Sequence, residues 1–287
     1  SITGAADTSW NQVTITTANT DTSLAATGLV DGDYKAYSVD AAGNLSAAST
    51  NTVTIDTTAP TASVTTATIA NTGSATVQST ETGTAYLVKS TVTVTNLASI
   101  TGAADTSWNQ VTITTASTDT SLAATGLVDG SYKAYSADAV GNLSAASTNT
   151  VTVDTTAPTA SVTTATIANT GSATVQSTET GTAYLVKSTV TVTNLASITG
   201  AADTSWNQVT ITTANTDTSL AATGLVDGDY KAYSVDAAGN LSAASTNTVT
   251  IDTTAPTASV TTATIANTGS ATVQSTETGT AYLVKST

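Results

Sequence analysis

The residues of this chain that could do chemistry are carboxylates. Aspartate and glutamate number 20, against 6 basic residues, all of them lysine, and there is no histidine or cysteine. Without those two, a thiolate or imidazole metal site, a disulfide framework and a histidine-based triad are excluded. Carboxylates alone can still hold a hard cation such as calcium, which takes oxygen ligands from several segments at once. The candidates fall into three sets: Asp31, Asp56, Glu81 and Asp138; then Asp129, Asp154, Glu179 and Asp236; then Asp227, Asp252 and Glu277. Ser131 stands where the other copies have Asp33 and Asp229, so that acid is dispensable. The competing reading is turn chemistry, because aspartate favours turns for its own backbone hydrogen bonds. Paired carboxylates also serve glycosidases. These recur identically and lack an aromatic sugar platform, so no active site is expected.

The recurrence comes from internal repetition. Trp10, Trp108 and Trp206 lie 98 residues apart, and so do Pro60, Pro158 and Pro256, the only prolines. Ser117, Ser131, Ala137, Val140 and Val153 are the middle copy's only departures from Asn19, Asp33, Val39, Ala42 and Ile55. A period of this size suits a separately folding β-sandwich rather than a solenoid repeat. Each proline sits in an Asp-Thr-Thr-Ala-Pro-Thr link between two strand-like runs, where its fixed φ and missing donor stiffen a connection between sheets. The links divide the chain into 1–57, the C-terminal part of a repeat; 58–155 and 156–253, two complete repeats; and 254–287, the N-terminal part of another. The ends are expected either to be cut from a longer array, which the missing initiator methionine favours, or to be completed by neighbouring copies.

The elements that must position the acids read as strands. In the first complete repeat these are 62–69, 74–79, 84–89, 110–114, 121–124, 132–138 and 148–154, with 91–94 either continuing the third or starting a short neighbour. A looser stretch, 96–109, holds the tryptophan. Period-2 alternation rich in β-branched residues dominates, and no stretch has helical period. About seven strands per repeat predict an all-β fold of tandem immunoglobulin-like antiparallel sandwiches with Greek-key connections. The core is expected to be thin, with small residues such as Ala36 and Ser38 along a central strand. Leu29-Val30-Asp31-Gly32-Asp33-Tyr34 predicts a tyrosine corner, with Tyr34, Tyr132 and Tyr230 bonding back to nearby backbone; an ordinary amphipathic strand tyrosine is the alternative.

In such a sandwich the chain enters at one pole and leaves at the other. The link aspartate then lies beside the loops bearing Glu81 and Asp138, while Asp31 lies at the exit of the preceding module. Uncompensated, these carboxylates repel; a divalent cation converts that cost into cohesion.

Gly28 to Tyr34, Val39-Asp40-Ala41-Ala42-Gly43-Asn44-Leu45-Ser46 and Asp56 to Pro60 together resemble the bacterial immunoglobulin-like repeats of giant surface adhesins. Those are type I-secreted proteins of the RTX or biofilm-associated kind, and the resemblance covers every copy. It implies an extracellular location at the bacterial cell surface, an extender that holds a binding domain away from the cell, and calcium that stiffens the joints. The chain has no glycine-rich RTX nonapeptides. Expected partners are neighbouring repeats of the same chain, with other copies of the chain as a further partner. A repeating subunit of an extracellular filament or sheath, packed laterally or end to end, is the alternative function.

A formal charge of −14 argues against nucleic acid and anionic membrane as partners, and no stretch is apolar enough to span a membrane. Asn44-Leu45-Ser46 matches a glycosylation sequon, though an asparagine at a glycine turn has a structural reason. The tryptophans are either interface anchors or core plugs.

Overall fold

A computed structural model describes residues 2–286. The chain divides after Thr155 into two compact units. In the first, β1 (Gly32–Tyr34) and β2 (Val53–Ile55) form an antiparallel pair. The complete repeat that follows contains β3 (Ala62–Val64), β4 (Ala67–Ile69), β5 (Ser74–Ser79), β6 (Gly83–Lys89), a short helix α1 (Leu97–Thr101), β7 (Trp108–Ile113), β8 (Thr120–Ala123), β9 (Gly130–Asp138) and β10 (Val151–Val153).

These strands make two sheets, ordered β3-β5-β8 and β4-β10-β9-β6-β7. All pairings are antiparallel except β4 with β10. Alternation along β5 buries Ala75, Val77 and Ser79 and leaves Ser74 and Thr76 exposed, as a sheet with one face inward requires. The inner faces meet in a core of Val64, Val77, Leu87, Ile113, Leu122, Tyr132, Val151 and alanines. Ala134 and Ser136 on β9 are fully buried, so the core is thin at its central strand. The class is a tandem immunoglobulin-like antiparallel β-sandwich.

The tyrosine corner is present in each copy. Tyr132 donates its hydroxyl to the carbonyl of Val128 at 2.6 Å, and Tyr230 to that of Val226 at 2.8 Å. Tyr34 does the same to Val30 at 2.7 Å. The residue sits at the start of β9 with its ring in the core, so the bond ties the corner before that strand to the sheet.

Two expectations are corrected. The run 62–69 is two strands in different sheets: β3 pairs with β5, then the chain crosses at Thr65-Thr66 and β4 pairs with β10. The apolar positions change parity between Val64 and Ile69, and one continuous strand could not turn both toward the core. Second, 91–94 is neither a continuation nor a strand. It leaves β6 by a turn closed between Val92 N–H and Lys89 C=O at 2.9 Å, then leads to α1, a helix where strands alone had been expected. Asn96 caps α1 through its side chain, accepting from Ser99 N–H at 2.9 Å while the Ser99 hydroxyl accepts from Asn96 N–H at 3.1 Å.

The helix covers the outer face of the larger sheet. Ile100 is buried with Tyr86, Val88 and Ala137, and Val92, Val94, Leu97 and Trp108 pack around them. The Trp108 ring lies 6.1 Å from that of Tyr86. Trp108 therefore plugs a second small core rather than standing free as an interface anchor.

The second unit repeats the pattern with β11 (Ala160–Val162), β12 (Ala165–Ile167), β13 (Ser172–Ser177), β14 (Gly181–Lys187), α2 (Leu195–Thr199), β15 (Trp206–Ile211), β16 (Thr218–Ala221), β17 (Gly228–Asp236) and β18 (Val249–Ile251). Its sheets have the same orders, β11-β13-β16 and β12-β18-β17-β14-β15. An antiparallel pair, β19 (Ala258–Val260) and β20 (Val273–Ser275), follows.

Candidate metal centre

Asp138 ends β9, where the chain turns back toward β10. Its Oδ1 accepts from the N–H groups of Val140, Gly141 and Asn142 at 2.9, 2.7 and 2.9 Å, and its Oδ2 accepts from Asn142 Nδ2 at 2.7 Å. Burial pushes this carboxyl up, but the Asn142 side chain and the three backbone donors outweigh it and hold the group below its usual 3.8. Asn142 Nδ2 also reaches the carbonyl of Asp56 at 3.1 Å. The aspartate-initiated loop is thus tied to the proline-bearing link. Asn142 is the counterpart of the sequon's Asn44, which donates its own Nδ2 to Asp40 Oδ2 at 2.8 Å; in both copies the asparagine has a structural reason for its place at the turn.

Glu81 stands in the bend between β5 and β6. That bend is tight because Gly83 has φ +147°, and a Cβ there would lie 2.1 Å from the Ala137 carbonyl. The glycine lets the Glu81 bend close directly against the end of β9. Asp56 arrives on the link, with its Oδ1 accepting from Thr58 N–H at 3.0 Å.

The result is that Asp56, Glu81 and Asp138 each place a carboxylate oxygen within 4.8 Å of the others, and all three are half-buried. Among the described residues, no side-chain hydrogen bond is made to the Glu81 carboxylate. The donors are all oxygen, which suits a hard cation such as calcium better than zinc or copper. The trio could hold a metal ion.

Asp31 lies outside that group. Its Oδ1 accepts from the N–H of Thr57 at 2.7 Å and from the Thr57 hydroxyl, and its Oδ2 accepts from the Thr58 hydroxyl. The Thr57 hydroxyl, then the Thr58 hydroxyl and the Thr57 N–H, hold its carboxyl below the ordinary value. Asp129 repeats this with Thr155, at 2.9 Å to its N–H and 2.6 Å to its hydroxyl. Asp227 holds the N–H of Thr253 at 2.8 Å and also its hydroxyl, together with the Thr254 hydroxyl at 2.9 Å. These three aspartates clamp the start of each link, a role the sequence pattern did not reveal.

Asp33 bonds across its strand pair to the Thr54 hydroxyl at 2.6 Å. That contact is local to the strand pair and lies outside the trio, and the middle copy has Ser131 at this position. Glu179 and Asp236 occupy the corresponding bend and strand end in the second unit, where Asp236 is buried and its Oδ2 accepts from Asn240 Nδ2 at 2.8 Å. Asp154 belongs to the last residues of the first unit. Asp252 is half-buried and Glu277 exposed, and among the described residues they join no third carboxylate.

No family model and no curated protein matches the chain. Solved structures similar to it include a biofilm-associated protein domain at 17% identity, which covers 67% of this chain and 29% of that one, with a TM-score of 0.23. The chain therefore spans less than a third of that protein. The first three fibronectin domains of chicken CNTN1 are similar at 12% identity, over 76% of this chain and 75% of that one, with a TM-score of 0.36. The fibronectin(III)-like modules of Clostridium thermocellum CbhA are similar at 10% identity, over 66% and 93%, with a TM-score of 0.27. At these TM-scores the fold class rests on the strand order and the tyrosine corner instead. No helix among the described residues is long and apolar enough to cross a membrane.

Proposed function

We propose that this chain is a structural extender region of a bacterial extracellular adhesin, of the type I-secreted RTX or biofilm-associated kind, acting at the cell surface. Its repeats are spacers that carry a binding domain away from the cell, and no catalytic step is assigned to any of its residues. Asp56, Glu81 and Asp138 hold a calcium ion that stiffens the chain where one repeat passes into the next. One observation carries this reading. Three carboxylates from positions 56, 81 and 138 converge within 4.8 Å, on the link, the β5–β6 bend and the loop after β9. A cation held there cross-links all three, so motion of the link relative to the sandwich is resisted by metal–oxygen bonds as well as by the Asn142 bridge.

The test is small-angle scattering and calorimetry of the full chain in calcium and then in chelator, with magnesium as control. Calcium is expected to raise the thermal midpoint and narrow the distribution of molecular dimensions, with magnesium much weaker because it demands a smaller and more regular shell. Unchanged dimensions and midpoint would leave the acids as turn residues.

A further inference from the structure

Residues 58–155 lie between two links, so tension along the chain enters this repeat ahead of β3 and leaves it after β10. What resists that tension depends on how the first and last strands are joined. β4 and β10 are neighbours in the larger sheet and run parallel, with Ala67, Thr68 and Ile69 opposite Val151, Thr152 and Val153. The second complete repeat is built alike, with Ala165, Thr166 and Ile167 opposite Val249, Thr250 and Ile251, again parallel. Among the described residues every other strand pair is antiparallel.

Parallel pairing sets the direction of the load. With β4 pulled from its start and β10 from its end, the two strands slide past one another along their own axes. The bonds of the ladder are then strained together and must fail together. An antiparallel pair of terminal strands would have both pulled ends at one pole, and the same tension would open its ladder one bond at a time.

Both ends of the load path are also pinned. Asp154 N–H donates to the Ile69 carbonyl at 3.0 Å on one side of β10, and on the other Asp129 accepts from Thr155 N–H at 2.9 Å. The second repeat matches this, with Asp252 N–H on the Ile167 carbonyl at 3.0 Å and Asp227 on Thr253 N–H at 2.8 Å. At the start of β3, Thr80 N–H donates to the Thr61 carbonyl at 3.1 Å and Thr61 N–H to the Thr80 hydroxyl at 2.8 Å. These bonds oppose fraying at the ends, so the pull reaches the β4–β10 ladder along the strands.

We propose that the β4–β10 pair, and β12–β18 in the next repeat, is a shear clamp that makes each repeat resist stretching along the chain far more than opening from one pole. Its use rests on the extender reading, in which the chain carries tension; its mechanics do not.

The chain has no cysteine, so introduced pairs give unique attachment points for single-molecule force spectroscopy of the full chain. Ala59→Cys with Ala157→Cys loads repeat 58–155 along the chain. Ala59→Cys with Val140→Cys loads it from one pole, because the loop after β9 meets the link there, with Asn142 Nδ2 3.4 Å from the Thr58 carbonyl. All three positions are exposed. Both pairs pull on the same fold, so a difference in force reports direction and not stability. In chelator, where no cation bridges Asp56 to Asp138, the first pair is expected to need a several-fold higher unfolding force than the second. Equal forces, or a higher force for the second pair, would overturn the clamp and leave the calcium reading standing. Ala157→Cys with Ala255→Cys, against Ala157→Cys with Ala238→Cys, makes the same comparison in repeat 156–253 and keeps the test available where a substitution disturbs the first repeat.

Discussion

Glu81→Gln separates a cation site from a set of turn formers, because the two readings predict opposite signs. Asp138 is held by four donors and Asp56 by a backbone N–H. Glu81 brings a third negative charge within 4.8 Å of both. Two unit charges at that separation repel by about 1 kcal/mol in water and roughly four times that at an effective dielectric constant of 20. Half-exposure places the trio near the aqueous limit, and salt weakens it further, so removing the Glu81 charge relieves about 1–2 kcal/mol across its two pairs. At about 4–8 °C per kcal/mol for a domain of this size, the metal-free variant should melt roughly 4–16 °C above the wild type. In calcium the order inverts. An ion at a hundred times its dissociation constant adds about 2.7 kcal/mol to the wild type and far less to a site with one carboxylate gone. Differential scanning calorimetry of the full chain reads both arms, with the repeat 156–253 as internal reference. A Gln variant that melts below the wild type in chelator, or that gains as much from calcium, refutes the electrostatic argument.

Tyr132→Phe should cost about 1 kcal/mol, the net worth of its bond to the Val128 carbonyl, and lower only the transition of repeat 58–155. Calorimetry should then resolve two transitions, because repeat 156–253 retains Tyr230. Gly83→Ala forces a Cβ to 2.1 Å from the Ala137 carbonyl at a φ of +147°. It should cost about 2–5 kcal/mol from overlap and strain together, seen as early melting of the same repeat. The folded Asp138 carboxyl lies below its usual 3.8, so its contribution is complete above that value and lost as the pH falls through the lower folded one. Asp138→Asn should therefore flatten the acid limb of stability, followed by circular dichroism in chelator from about pH 5 to about pH 2.

Much of the sandwich was legible because its signals are local. The alternation Ala75-Val77-Ser79 specifies an inward face, and Leu29 to Tyr34 specifies a corner whose tyrosine bonds four residues back. The convergence of Asp56, Glu81 and Asp138 followed from topology, since in a Greek-key sandwich the link, the β5–β6 bend and the loop after β9 share one pole. What escaped depended on distinctions that periodicity does not carry. Thr91-Val92-Thr93-Val94 alternates like a strand, yet its valines alternate only because Val92 and Val94 pack beneath α1, and no neighbour offers a ladder. A five-residue helix is too short to display a period of 3.6; its one sequence mark is the Asn96–Ser99 capping pair.

Asp31 shows most clearly where a composition argument stops. Placed near the link by the same geometry as the trio, it faces two threonine hydroxyls and a backbone N–H, and these satisfy its oxygens without a cation. Glu81 has no such donors among the described residues. The two carboxylates lie at one link with the same charge, and they differ in whether the neighbouring segment supplies hydrogens. That difference makes one a clamp for the start of the link and leaves the other without a hydrogen-bond donor among the described residues, which is what the proposed cation role requires. It also explains why neutralising Asp31 should loosen the link whether or not calcium is present, whereas neutralising Glu81 should tighten the metal-free state.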